Sequence, residues 1–254
     1  MDIEDSSKNL TTPIRGAKIV ADMTVDELVR EYSGCAFGAG RLAEAVDIYY
    51  EMLASEKTTK FFGLAGAMIP AGMRNIIADL IRDGYIDVLV TTGANMVHDT
   101  VEALGLHHYK GTACANDIQL RHDCIDRIYD VYLPDQHFTE LEEFLQSIYA
   151  GLPKEKLSIR QVLTEIGKNL DDDSSILKTA ADMGVPVYCP AIQDSVIGLQ
   201  AWLYKEGNPL HVDAFADMHE FMDICYETES AGAMLLGGGV PKNYIQIGRA
   251  SCRE

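Results

Sequence analysis

The stretch "IDVLVTTGAN", residues 86–95, decides the fold. It is a continuous apolar run ending in a turn of hydroxyl and amide residues. A run without alternation predicts a strand buried on both faces, the signature of a parallel sheet covered by helices. The segments around it repeat the pattern. Upstream, "KFFGLAG" predicts a strand leading into the turn "AMIPAG", and "MRNIIADLIRDG" predicts an amphipathic helix closed by Gly84. Downstream, "MVHDTVEALG" predicts a helix, again closed by glycine, and "DRIYDVYLP" a further strand or extended segment.

Farther out, "FTELEEFLQSIYAGL", "SIRQVLTEIGKNL" and "SSILKTAADMG" read as helices before the short strand "VPVYCP". "SVIGLQAWLYKEG" and "AFADMHEFMDICYET" are further helices, and "AGAMLLGGGVP" is a last buried strand running into glycines. Near the start, "MTVDELVREY" is a short helix with Thr24 as candidate N-cap and Glu27 three residues on. "GAGRLAEAVDIYYEMLAS" is a longer helix with Gly38 to Gly40 at its entry. Strands separated by helices predict an α/β, doubly wound, mostly parallel sheet with helices on both faces. Residues 1–22 are expected to be a loose arm, polar and broken by Pro13 and Gly16, and residues 23–246 a single domain.

Composition bounds the chemistry. The 47% hydrophobic content of 254 residues supplies a sizeable core, and the 24% charged content fits an ordinary globular surface. The net charge of -18 sets nucleic acid and anionic membranes against it and tolerates cationic ligands, though plain acidic solubility accounts for it equally. None of the six cysteines forms a C-x-x-C pair, so no zinc site or disulfide scaffold is expected and no metal is assigned. The first ten residues, "MDIEDSSKNL", are not a signal peptide and no apolar run approaches membrane-span length, which points to the cytoplasm.

In doubly wound sheets ligands bind beyond the carboxyl ends of the strands. The informative segments are therefore "GLAGAMIPAG", "TTGANMVHD", "PAIQDS" and "GGGVPKN". Gly237, Gly238 and Gly239 let backbone approach a phosphate or ribose, or simply make a tight turn. Thr91, Thr92, Gly93 and Asn95 offer sugar- and phosphate-binding groups, or an N-cap. Asp194 can take a ribose diol, or cap the next helix. His98 stands near a strand end, where a histidine can move protons, although a lone histidine is usually structural. His107 and His108 share a loop with no metal-ligand company, and Trp202 reads as core packing. No G-x-G-x-x-G fingerprint is present.

Together these segments resemble deoxyhypusine synthase in its archaeal and bacterial form. The resemblance runs from "GCAFGAGRLAEAV" to "GGGVPKNY", and it is carried by "GLAGAMIPAGMRNIIADLI", "DVLVTTGANMVHDTVEALG", "RIYDVYLP", "VPVYCPAIQDSVIGLQAWL" and "AGAMLLGGGVPKN". It implies a Rossmann-like domain binding NAD, a homotetramer with sites at dimer interfaces, and aminobutyl transfer from spermidine to one lysine of a translation factor. Gly66, Ala67, Met68, Ile69, Pro70, Thr91, Thr92, Gly93, Asp194, Gly238 and Gly239 match the family's NAD-contacting positions. His98 falls where eukaryotic members have an active-site glutamate, and Asn243 where they have an active-site histidine, so both are candidate catalytic residues. Leu199 falls where they have an aspartate that holds a spermidine amine. The donor therefore stays open among spermidine, agmatine and polyamine-to-polyamine transfer.

In the family, a helix, an acidic loop and a tryptophan–glycine–lysine motif bearing the catalytic lysine follow the last glycine turn. No such motif occurs here. Residues 247–254, "IGRASCRE", match the translation of a sequencing adapter, ATC GGA AGA GCG TCG TGT AGG GAA, and are expected to be a non-native tail outside the core, Cys252 included. The fragment is then expected to be inactive. Two rivals remain: a sirtuin-like deacylase, against which the missing C-x-x-C pairs speak, and a non-catalytic paralogue acting as scaffold or regulator.

Overall fold

A computed structural model describes residues 11–251. The contacts divide the chain into two compact units, Met1–Glu56 and Lys57–Glu254. The first unit contains α1 (Val25–Tyr32) and α2 (Phe37–Ala54). The expected capping box forms: the Thr24 hydroxyl accepts from the Glu27 N–H, and the Glu27 carboxylate accepts from the Thr24 N–H.

The second unit opens with β1 (Thr58–Leu64), a π-helical turn at Ile69–Met73, α3 (Arg74–Arg82), β2 (Val88–Thr91) and α4 (Gly93–Ala103). Next come β3 (Tyr109–Lys110), α5 (Asp117–His122), β4 (Ile125–Ile128), β5 (Val131–Pro134) and α6 (Gln136–Gly151). Then follow β6 (Leu157–Ser158), α7 (Ile159–Lys168), α8 (Ile176–Met183), β7 (Val187–Tyr188) and α9 (Val196–Gly207). The unit ends with β8 (Val212–Asp213), α10 (Ala216–Glu227), β9 (Ser230–Leu236) and α11 (Gly239–Ser251).

The main sheet has the order β7-β2-β1-β9, and every pairing is parallel. Counted along the chain, its strands stand third, second, first, fourth, the order of one half of a dinucleotide-binding fold plus the strand beyond its switch point. Both faces are covered, as the apolar run at 86–95 predicts. Phe62, Leu64, Leu89 and Val187 face one way, into the core shared with α3, α4, α6, α7 and α8. Their neighbours Phe61, Val88, Val90 and Tyr188 face the other way, against Phe221 and Cys225 of α10 and Ile245 of α11. The period-two alternation of a strand thus leaves every residue of β2 buried.

Two strands differ from the sequence reading. "DRIYDVYLP" is two strands, β4 and β5, which with β3 make a small antiparallel sheet. β9 is a sheet edge and only half-buried, not a buried strand. Helix α11 continues to Ser251 with no break at Gln246. Within the expected tail, Ile247 is exposed, whereas Gly248 is buried close to Phe221 and Arg249 donates to the Cys225 carbonyl at 2.6 Å. Cys252 lies outside the described residues.

Candidate functional site

The carboxyl ends of β1, β2, β7 and β9 open onto one crevice of about 330 Å³. It is lined by residues of the four predicted segments, among them Gly66, Thr91, Thr92, Gly93, Asp194, Gly238 and Gly239. The crevice spans the neighbouring strands β1 and β9, where the chain order of the sheet reverses, the place where open α/β sheets bind ligands. Among the described residues no lysine or arginine lines it. Two helices, α4 and α11, begin at its wall with Gly93 and Gly239, and the first N–H groups of a helix have no intrahelical acceptor.

The local chemistry separates binding groups from framework. Thr92 is the N-cap of α4, its hydroxyl accepting from the Asn95 N–H at 3.3 Å and donating to the Gly66 carbonyl at 2.7 Å. Asn95 is fully buried and clamps the strand ends. Its amide donates to the Leu64 carbonyl and to Thr91 Oγ1, both at 3.2 Å, and its carbonyl accepts from the Met68 N–H at 2.8 Å. It is therefore a framework residue and not a ligand group. At the third strand end, Ser195 caps α9 by accepting from the Gly198 N–H. That leaves the exposed Asp194 out of the cap, and it lines the crevice. Gly93 packs so tightly that a Cβ there would stand 2.3 Å from Ser195 Cβ.

These residues fit a dinucleotide. A Cβ at Gly238 would meet nothing within 4 Å, so the backbone there faces open space that a ligand can approach. With no cation in the lining, an anionic group would rest on helix-terminal N–H groups, and Asp194 is placed to accept from a diol. Among the described residues no group of three or more His, Cys, Asp or Glu is arranged to hold a metal ion.

Other expected residues lie elsewhere. Ile69 is buried in the core, Met68 packs on it, and Ala67 and Pro70 are half-buried; none of the four lines the crevice. Asn243 is exposed on α11, one turn past Gly239. His98 is buried on α4 and is not alone: its Nδ1 lies 2.9 Å from His108 Nε2, and His108 Nδ1 lies 2.6 Å from Glu102 Oε1. Burial, and then the charge of His108, push the His98 pKa down to about 4. Burial raises the Glu102 pKa, but hydrogen bonds from His108 and His107 outweigh it and lower the value to about 2. Trp202 is 55% exposed rather than core and lines a separate, mostly apolar cavity of about 230 Å³ with Ile197 and Leu210.

Sequence reasoning missed the buried ion pair that holds α3, α4 and α8 together. Arg74 Nε donates to Asp99 Oδ1 at 2.8 Å and Arg74 Nη1 to Asp172 Oδ2 at 2.7 Å. The fully buried Asp99 also accepts from the Ser175 hydroxyl and from the Ile176 and Leu177 N–H groups at the start of α8. Nothing in the sequence spacing pairs residues so far apart. The His98–Glu102 pair, by contrast, has helical i, i+4 spacing and was a legible signal.

A family model described as deoxyhypusine synthase matches residues 27–251. The protein named "Probable deoxyhypusine synthase" of Methanosarcina thermophila is 91% identical over 245 residues, 96% of this chain and 77% of that protein. "Probable deoxyhypusine synthase 1" of Archaeoglobus fulgidus is 41% identical over 231 residues, 91% of this chain and 75% of that protein. The crystal structure of a "putative deoxyhypusine synthase" from Entamoeba histolytica superposes with a TM-score of 0.69 at 20% identity, over 89% of this chain and 80% of that one, and shares the fold.

Proposed function

Because this chain belongs to the deoxyhypusine synthase family, we propose that its strand-end crevice holds NAD and serves aminobutyl transfer from spermidine to a lysine of the hypusine-bearing translation factor. One observation carries the reading: Gly66, Thr92, Asp194 and Gly238, far apart in sequence, line one crevice at the reversal of strand order. In this reading the N–H groups opening α4 and α11 would hold the pyrophosphate, Asp194 would take a ribose diol, and Gly66 and Thr91 would complete the cradle. Bound there, NAD would supply a hydride acceptor and donor for the carbon beside the secondary amine. His98 accepts a proton and Asn243 hydrogen-bonds the substrate. The active assembly is a cytoplasmic homo-oligomer, a tetramer.

The lysine that carries the aminobutyl group as an imine comes from outside these 254 residues. Lys242 is exposed in the first turn of α11, beside the glycine turn. It does not line the crevice, so it is not placed to take the aminobutyl group there. Leu199, exposed on α9, supports a second reading in which the donor is agmatine or another polyamine, because it offers no carboxylate to a substrate ammonium.

The test is calorimetric titration of the chain with NAD, followed by borohydride trapping with NAD and labelled spermidine or agmatine. NAD binding that is lost in Asp194→Ala is expected, with no covalent adduct. An adduct on Lys242 would overturn the lysine assignment. Absence of NAD binding would overturn the cofactor reading and favour a non-catalytic scaffold.

A further inference from the structure

We propose that Glu102 and His108 are positioning residues that act on His98 through two consecutive hydrogen bonds, fixing it as the Nδ1–H tautomer with the Nε2 lone pair free to accept a proton. This rests on the reading of His98 as the proton acceptor of the site.

The argument is one of proton counting. Glu102 Oε1 and His108 Nδ1 are 2.6 Å apart, and an ionised carboxylate only accepts, so the hydrogen lies on His108 Nδ1. In the state in which His108 carries no charge, its Nε2 has only a lone pair. The 2.9 Å contact from that Nε2 to His98 Nδ1 therefore needs its hydrogen on His98. Neutral His98 is left with an unprotonated Nε2. Among the described residues that atom makes no hydrogen bond, yet it is not one of the buried orphan atoms there, His137 Nδ1 and Tyr188 Oη. His98 Nε2 is therefore not sealed off completely, although the residue as a whole is buried.

The chain is folded to make this relay. Glu102 sits one turn after His98 on α4, and the turn at Gly105 (φ 80°) brings the chain back over it. Glu102 Oε1 also accepts from the His108 N–H at 2.9 Å, which fixes the backbone as well as the ring. The two imidazoles meet edge to face, with centroids 4.9 Å apart. His107 lies 3.4 Å from the second Glu102 oxygen. His137 of α6 and Asp172 also interact electrostatically with this cluster. His98 is five residues into α4 from Gly93, about 7.5 Å along the axis from the crevice wall.

A proton arriving at His98 Nε2 is balanced along the relay. The Nδ1 hydrogen of His98 passes to His108 Nε2, His98 returns to neutrality, and the positive charge rests on His108 against the Glu102 carboxylate. The same relay run backwards returns the proton. A catalytic base that must stay neutral while buried gains from having its cation formed one residue away, beside a fixed anion.

The test is histidine-selective ¹⁵N NMR of the full chain at pH 8, reading which imidazole nitrogens carry hydrogen. His98 is expected as the Nδ1–H tautomer in the wild type, and as a mixture or the Nε2–H tautomer in Glu102→Gln and in His108→Phe. A wild-type His98 in the Nε2–H form, or a tautomer unmoved by Glu102→Gln, overturns the proposal; the wild-type spectrum decides even if a variant does not fold. Adding spermidine with NAD separates the two readings. A relay that is present but whose His98 resonances do not respond would sink the role of His98 in the site while the relay stands.

Discussion

The Thr92 hydroxyl donates to the Gly66 carbonyl across 2.7 Å, tying the end of β2 to the turn after β1 at the floor of the crevice. The same oxygen caps α4, so one side chain sets both the helix and the turn. Thr92→Val keeps the shape and removes both bonds. It should lower stability by about 1–2 kcal/mol, the worth of a lost cap and a lost hydrogen bond, and Thr92→Ser should restore most of it. Urea denaturation measures both.

Asp194 should behave in the opposite way. Its carboxylate is exposed and takes no part in the α9 cap, which belongs to Ser195. Asp194→Asn should leave stability within about 0.5 kcal/mol while weakening NAD binding roughly 10- to 100-fold, the value of a charge-assisted hydrogen bond. Equal loss of stability and binding in paired melting and titration experiments would assign Asp194 to the framework.

Gly93 and Ser195 are predicted to be coupled. A Cβ at position 93 would lie 2.3 Å from Ser195 Cβ, so Gly93→Ala should destabilise by about 1–3 kcal/mol through overpacking. Replacing Ser195 with Gly removes the obstruction and loses only a few tenths of a kcal/mol of capping. The double variant Gly93→Ala/Ser195→Gly should therefore be more stable than Gly93→Ala alone. A double-mutant cycle showing simple additivity would contradict the close approach.

Acid should weaken the fold in two steps. The folded His98 pKa is about 4, below its ordinary value, so the unfolded state binds the proton more readily. The stability this represents is complete above about pH 6.5 and is lost as pH falls through about 4, on the order of 3 kcal/mol. Glu102, at about 2 instead of 4.5, has the same sign and acts over the lower window. Replacing His98 with Gln should remove the upper step in a plot of unfolding free energy against pH, and a curve unchanged between pH 7 and 4 would refute this.

Asp99→Ala strands the Arg74 guanidinium in the interior and uncaps α8. A loss of about 3–5 kcal/mol is expected, as for breaking a buried ion pair from one side. Because the pair ties α3 to α4 and α8, hydrogen exchange should show loss of protection in all three helices together, not in α4 alone.

The sequence by itself determined the sheet, its covering helices and the strand ends that form the crevice. Those features are local: "IDVLVTTGAN" carries its own burial pattern, and Gly84, Gly105 and Gly184 close their helices with positive φ whatever they pack against. Only the tertiary structure decided which residues at those ends are free. Thr92 and Ser195 took the cap positions, leaving Asp194 exposed, while Asn95 turned inward to hold β1 to β2. It also made β9 a half-buried edge and joined His98, Glu102 and His108. Arg74, Asp99 and Ser175 meet through hydrogen bonds between groups up to 76 residues apart, a distance over which no periodic pattern extends. Periodicity reports which face of an element is apolar. The partner that satisfies a buried polar group depends on how whole elements dock, and that is settled only when the core closes.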